Sequence, residues 1–259
     1  MEPVDSAFIA AAPKLRLIQK WGVGLNTIDL TVAQARGIRV SNMPGTNSRA
    51  VAELALLLML SCLRQLSTIE TGMRSGRWTP APNVLAAQGE LAGRTVGLVG
   101  MGAVPAILAP ILTTMGAIPR YWSRTAKEAV TLPFLPLPAL LAESDIVSLH
   151  LPLTIETRGI VDVWSIKRGS ILINTARGGL VDEVELLAAL TSQHLAAAGL
   201  DVFESEPISA DHPLLALDSV TVTPHLAWLT AETLQRSLDI AVLNLQNLAA
   251  GRPLLFEIQ

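Results

Sequence analysis

Thr95-Val-Gly-Leu-Val-Gly-Met-Gly-Ala-Val-Pro105 decides the fold. A short aliphatic run leads into two glycines one residue apart, and then into residues suited to a helix. Downstream, the runs Ile118–Trp122, Asp145–His150, Ser170–Asn174, Ala197–Val202 and Ser219–Thr223 repeat the opening run. Each is apolar at successive positions rather than alternating, the pattern of parallel strands buried on both faces. Stretches such as Ala103–Met115 and Asp182–Leu190 read as the intervening helices. Strand–helix alternation of this kind predicts an α/β fold with a doubly wound parallel sheet and right-handed crossovers.

Upstream lie two more strand candidates, Leu15–Trp21 and Ile38–Asn42, separated by a polar helical segment. Asn47 to Leu66 reads as one long helix, with Asn47 or Ser48 able to cap it and Glu53 in its early turns. Its apolar residues nearly encircle it, so burial on several sides is expected. Pro80 and Pro82 punctuate the following stretch, and a last helix, Ala231–Ala250, ends at Gly251 with Pro253 beyond.

Composition narrows the function classes. The 259 residues are 50% hydrophobic, with 19 basic against 22 acidic side chains and a net charge of −3. That balance argues against nucleic acid or a polybasic membrane contact, both of which need clustered Lys and Arg. One cysteine, Cys62, excludes a disulfide framework and a cysteine-based zinc site, and no metal site is expected. The longest apolar run, Leu54–Leu63, is ten residues, about half of a spanning helix. With no signal-peptide pattern after Met1, a soluble, cytoplasmic protein is expected.

The glycine loop suggests a Rossmann-type dinucleotide site. Gly100 suits the tight turn, and Gly102 suits close approach of a pyrophosphate to the amides of Ala103 and Val104 at a helix N-terminus. The third glycine of the usual fingerprint is replaced by Pro105, and Pro110 deeper in the helix is expected to kink it. The next strand ends Tyr121-Trp-Ser-Arg-Thr125, and no acidic residue lies between Glu90 and Glu128 to take a ribose 2′-hydroxyl. A hydroxyl at Ser123 and a guanidinium at Arg124, followed by Thr125, suit a 2′-phosphate, so NADP is expected over NAD.

Polar residues at strand carboxyl ends carry the candidate chemistry. Arg177 follows Ile171-Leu-Ile-Asn-Thr-Ala, Glu206 lies in Leu200-Asp-Val-Phe-Glu-Ser-Glu-Pro207, and His225 ends Ser219-Val-Thr-Val-Thr-Pro-His225. Each follows a separate strand, so the three can converge. Of the four histidines, His194 and His212 sit in polar connections, whereas His150 also ends a strand and competes with His225.

At this point the chain resembles the D-isomer-specific 2-hydroxyacid dehydrogenases, the family that includes phosphoglycerate dehydrogenase and glyoxylate/hydroxypyruvate reductase. The likeness rests on Leu17-Ile-Gln-Lys-Trp-Gly-Val-Gly24, Asn26-Thr-Ile-Asp29, Asn42-Met-Pro-Gly45, Val51-Ala-Glu53, Asn174-Thr-Ala-Arg-Gly-Gly-Leu-Val-Asp182, Leu200-Asp-Val-Phe203, Glu206-Pro207 and Thr223-Pro-His225. The resemblance implies Arg177 as the substrate-binding arginine, Glu206 as its acidic partner and His225 as the acid/base. It implies that Val23 and Gly24 amides bind the substrate carboxylate, and that Thr175, Ala176 and Asp201 line the nicotinamide and ribose. His150, beside Leu151 and Pro152, then falls on the cofactor side. A small 2-oxo or 2-hydroxy acid is the implied substrate, and an aromatic, Trp228, is expected to bound the pocket.

The same resemblance implies a small, discontinuous flavodoxin-like substrate domain from residues 1–45 and 230–259, around a dinucleotide-binding domain of residues 46–229. Only fourteen residues precede Leu15, so this substrate domain is expected to be incomplete at its N-terminus. A homodimer through Asn47–Pro82 is implied. The competing reading is a non-catalytic dinucleotide-binding scaffold of the same fold, favoured by Pro105 and the short start. The intact Arg177, Glu206 and His225 set favours the enzyme.

Overall fold

The computed structural model describes residues 3–25 and 27–258, so Asn26 of the Asn26–Asp29 motif lies outside the described residues. The chain divides into two compact units, Met1–Ala50 with Trp228–Gln259, and Val51–Ala227.

The smaller unit begins with α1 (Ser6–Ala11), β1 (Leu17–Gln19), α2 (Leu30–Ala35) and β2 (Arg39–Ser41). Asp5 and Asp29 start the two helices by accepting hydrogen bonds from Phe8 N at 2.8 Å and Val32 N at 3.0 Å. β1 and β2 pair in parallel, with Ile18 opposite Val40. These two side chains face a core completed by Ile9, Ile28, Ala33 and Ile38.

The larger unit opens with a departure from the expected single helix. α3 (Ser48–Arg64) stops at Gln65, whose left-handed φ of 46° breaks the ladder, and α4 (Leu66–Arg74) leaves at a 66° bend. Tertiary pairing explains the turn: the Ser67 hydroxyl lies 3.5 Å from that of Thr221, and Thr68 Oγ1 donates to the Asp218 carbonyl at 3.2 Å. A short α5 (Pro82–Ala86), with proline in its first turn, follows. Among the described residues no single helix is long and apolar enough to cross a membrane.

Then come β3 (Thr95–Val99), α6 (Ala103–Thr114), β4 (Ile118–Trp122), α7 (Leu137–Glu143), β5 (Ile146–Leu149), β6 (Ser170–Asn174), α8 (Glu183–Thr191), β7 (Leu195–Leu200) and β8 (Val220–Val222). The six strands form one parallel, Rossmann-like sheet in the order β4-β3-β5-β6-β7-β8. Consecutive apolar residues serve opposite faces. Ile146, Ile171 and Ile173 pack with Leu58, Met59 and Leu108 of α3 and α6, whereas Val147 and Leu172 pack with Leu140 and Leu186 of α7 and α8. α6 runs unbroken through Pro110, and Pro105 is buried in its first turn. Because β4 and β5 lie on opposite sides of β3, the chain reverses direction there and leaves a crevice at the strand carboxyl ends.

The chain returns to the smaller unit with α9 (Ala231–Ala249) and β9 (Glu257–Ile258). β9, unforeseen in the sequence, pairs antiparallel with β2, and Arg39 Nε and Nη2 grip the Glu257 carboxylate at 2.5 and 2.6 Å. Gln19 and Ser41, on the sheet face opposite Ile18 and Val40, receive Asn244 of α9, whose amide donates to them at 2.7 and 3.0 Å. This three-stranded sheet therefore has helices on both faces.

Candidate active site

Asn174 ends β6 and turns its side chain onto the residues that follow. Its Oδ1 accepts from Ala176 N at 3.0 Å and its Nδ2 donates to the Arg177 carbonyl at 2.9 Å. An asparagine closing a turn on its own backbone is ordinary local chemistry, and here it sets the half-buried Arg177. The guanidinium Nη1 donates to the Ala176 carbonyl at 2.6 Å.

Two loops from neighbouring strands meet at His225. Its Nδ1 lies 2.6 Å from Glu206 Oε2, with both side chains about one-third exposed. An ionised carboxylate only accepts, so Nδ1 carries the proton and Nε2 faces away from Glu206. Glu206 is itself oriented, since its Oε1 accepts from Phe203 N at 3.0 Å. His225 holds a left-handed φ of 55°, uncommon for a residue with a side chain.

Asp201 maintains that backbone. It is fully buried, and its carboxylate accepts from Thr223 Oγ1 at 2.5 Å, Leu226 N at 2.9 Å and Ala227 N at 2.9 Å. The His225 amide adds a bond to the Asp201 carbonyl at 2.8 Å. The expected place beside nicotinamide and ribose thus needs refinement: most of this carboxylate's accepting capacity serves the His225 turn.

His150, the rival histidine, has a different neighbourhood. Its Nε2 lies 3.0 Å from Ser148 Oγ, and burial pushes its imidazole down to about 4, so it is neutral at pH 7. A neutral ring on a hydroxyl suits structure better than proton delivery.

The cofactor candidates lie on the same edge of the larger sheet. Gly100 adopts φ 106°, and a Cβ there would lie 2.6 Å from the His150 carbonyl, so only glycine fits between these loops. At Gly102 the opposite holds: a Cβ would meet nothing within 4 Å, and no side chain caps α6. The space before the first-turn amides of Ala103 and Val104 is therefore open to an anion. Thr175 Oγ1 is buried without a hydrogen-bond partner among the described residues, an orphan that a bound ligand would satisfy. Leu151 and Pro152 follow His150, with the Pro152 carbonyl accepting from Thr157 Oγ1 at 2.7 Å.

Ser123 departs from expectation. It is buried, and its only hydroxyl proton goes to the Thr125 carbonyl at 2.6 Å, closing the turn after β4. A phosphate needs donors, and Ser123 has none left to offer, whereas Arg124 is exposed. The Thr154 hydroxyl, chiefly, holds the Glu156 carboxyl below the usual range, with the Arg124 charge adding to it.

In the smaller unit, the Val23 carbonyl accepts from Asn42 Nδ2 at 3.1 Å, fixing the peptide that carries the Gly24 amide. Trp228 belongs to this unit too, lining a small cleft with Trp21 and Thr233. Among the described residues no group of three His, Cys, Asp or Glu side chains is placed to hold a metal ion.

Residues 56–227 match the family described as D-isomer specific 2-hydroxyacid dehydrogenase, NAD binding domain. This chain belongs to that family. It is 38% identical over 252 residues to a glyoxylate reductase from Korarchaeum cryptofilum, covering 94% of this chain and 76% of the relative. Against D-3-phosphoglycerate dehydrogenase from Mycobacterium tuberculosis it is 41% identical over 241 residues, 90% of this chain. The chain spans about half the length of that relative, 45%. The crystal structure of the TT0316 protein from Thermus thermophilus superposes with a TM-score of 0.94 at 38% identity, covering 100% of this chain and 83% of that one. Membership in the 2-hydroxyacid dehydrogenase family accounts for the open α6 terminus and the orphaned Thr175 hydroxyl, since a nicotinamide dinucleotide fits both.

Sequence reading missed Asn174 and Thr223 as supports of the site. Asn174 alone carried a local signal, an Asn closing a strand ahead of a turn.

Proposed function

We propose that this chain is a dehydrogenase interconverting a small 2-oxo acid and its D-2-hydroxy acid with a nicotinamide dinucleotide. The observation that carries the reading is the 2.6 Å contact between His225 Nδ1 and Glu206 Oε2. The bound cofactor would supply the hydride chemistry at the substrate C2 carbon. Glu206 orients the imidazole by accepting from Nδ1, which leaves Nε2 to exchange the proton required by the substrate oxygen. Arg177 offers a planar fork to the substrate carboxylate, a match that lysine lacks.

The larger unit is then the dinucleotide side, with Gly100, Gly102, Ala103, Val104, Leu151, Pro152, Thr175, Ala176 and Asp201 around the cofactor. In the smaller unit, the Val23 and Gly24 amides are the candidates for holding the substrate carboxylate. Arg124, without an acidic rival on its strand end, supports NADPH over NADH. Family likeness and the exposed Leu57, Met73 and Trp78 support a homodimer through the 47–82 region. The single, buried cysteine supports a cytoplasmic setting.

The test is oxidation of NADPH and of NADH, followed by absorbance, with glyoxylate, hydroxypyruvate and pyruvate. Turnover is expected with at least one acid and with higher kcat/KM for NADPH. His225→Ala is expected to lower kcat about 10²- to 10⁴-fold while leaving NADPH affinity nearly intact. Cofactor binding without turnover in the parent chain would favour the scaffold reading instead.

A further inference from the structure

We propose that Glu183 is a positioning residue for the Glu206–His225 pair, acting through the Phe203–Glu204 segment. Glu183 opens α8 directly after its cap, Asp182, whose Oδ1 accepts from Val184 N at 2.9 Å and Glu185 N at 3.1 Å. The carboxylate therefore hangs from a fixed helical turn. Its side chain is only 16% exposed, unusual for a first-turn glutamate whose sole task is to face the helix dipole.

Both oxygens point into the loop that carries Glu206. Oε1 accepts from Glu204 N at 2.6 Å, and Oε2 lies 3.5 Å from His212 Nε2. His212 Nδ1 accepts from Leu214 N at 3.3 Å, so the proton of the neutral ring sits on Nε2, toward Glu183. The Glu204 carboxylate itself faces Arg158 Nη1 at 3.5 Å.

Gly178 also presses on this peptide: a Cβ there would lie 2.0 Å from the Phe203 carbonyl carbon and 2.3 Å from Glu204 N. The Phe203–Glu204 peptide thus has Gly178 packed against it and Glu183 accepting from its N–H. One residue back, the Phe203 amide orients Glu206 Oε1, which leaves Oε2 for His225 Nδ1. A shift of this peptide moves Glu206 away from the imidazole.

This inference rests on the proposed function, and its test separates the two. In Glu183→Ala, kcat for the 2-oxo acid is expected to fall about 10- to 100-fold with KM for the cofactor unchanged. Glu183→Gln, which keeps an acceptor for the Glu204 amide, is expected to recover most of that loss. In a Glu206→Ala background, Glu183→Ala is expected to add nothing, because it acts through Glu206. An unaltered kcat, or a loss that multiplies with that of Glu206→Ala, would overturn the proposal. Should the parent reduce none of the acids, crystal structures of the parent and Glu183→Ala decide it. Separation of Glu206 from His225 in the variant supports the role, and an unchanged pair refutes it.

Discussion

Histidines 150 and 225 both close a β-strand, and their side chains are chemically identical; the difference between them is environmental. His225 meets a carboxylate at 2.6 Å, whereas His150 meets only the Ser148 hydroxyl at 3.0 Å. Burial holds the His150 imidazole at about 4 in the folded chain, against about 6.5 for an unperturbed ring. Between these values the unfolded chain binds a proton that the folded chain does not, so stability rises with pH across that window and is lost as pH falls. The difference corresponds to about 3 kcal/mol. Urea unfolding at pH 4.5 and 7 should show this dependence, and His150→Gln should reduce it by most of that amount. Sequence pattern placed both histidines at strand ends. The carboxylate 19 positions away in the chain became His225's partner only through the packing of the loops after β7 and β8.

At the scale of elements, the strands of the large sheet were legible nearly to the residue, because burial on both faces leaves consecutive apolar positions that loops do not show. The helix after Ser48 was legible in its first half only. Its apolar character continues past Arg64, and the left-handed Gln65 that redirects α4 toward β8 answers to contacts with Asp218 and Thr221. The Gly178-Gly179 pair makes the same point in the site. At Gly178 an added Cβ would collide with the backbone of Phe203, which has no rotamer to yield, whereas at Gly179 it would meet the Arg158 and Leu153 side chains at 3.1 Å. Gly178→Ala is therefore expected to cost about 1–3 kcal/mol by overpacking and to reduce turnover at least tenfold. Gly179→Ala should do much less, as paired thermal melts and steady-state assays would reveal. In sequence the two glycines are indistinguishable.

For the whole molecule, the two compact units have cores of their own, and Cys62 reports on the larger. It is buried, with Gly199 of β7 close by, and burial pushes its thiol up to about 12. A disulfide reagent such as DTNB is expected to leave it unmodified in native buffer. Labelling along a urea series should coincide with loss of helical circular dichroism; prompt labelling of the native protein would contradict this packing. Sequence alone determined the parallel α/β architecture, the strand ends that bear Arg177, Glu206 and His225, and the glycine turn at Gly100, because each follows from local periodicity or backbone freedom. Tertiary structure decided the break at Gln65, the pairing of β9 with β2, the engagement of Ser123 and Asp201 by their own turns, and the different partners of His225 and His150. Those outcomes depend on which groups meet across distant parts of the chain, and the free energy of burying or pairing a polar group is set by its neighbours in space.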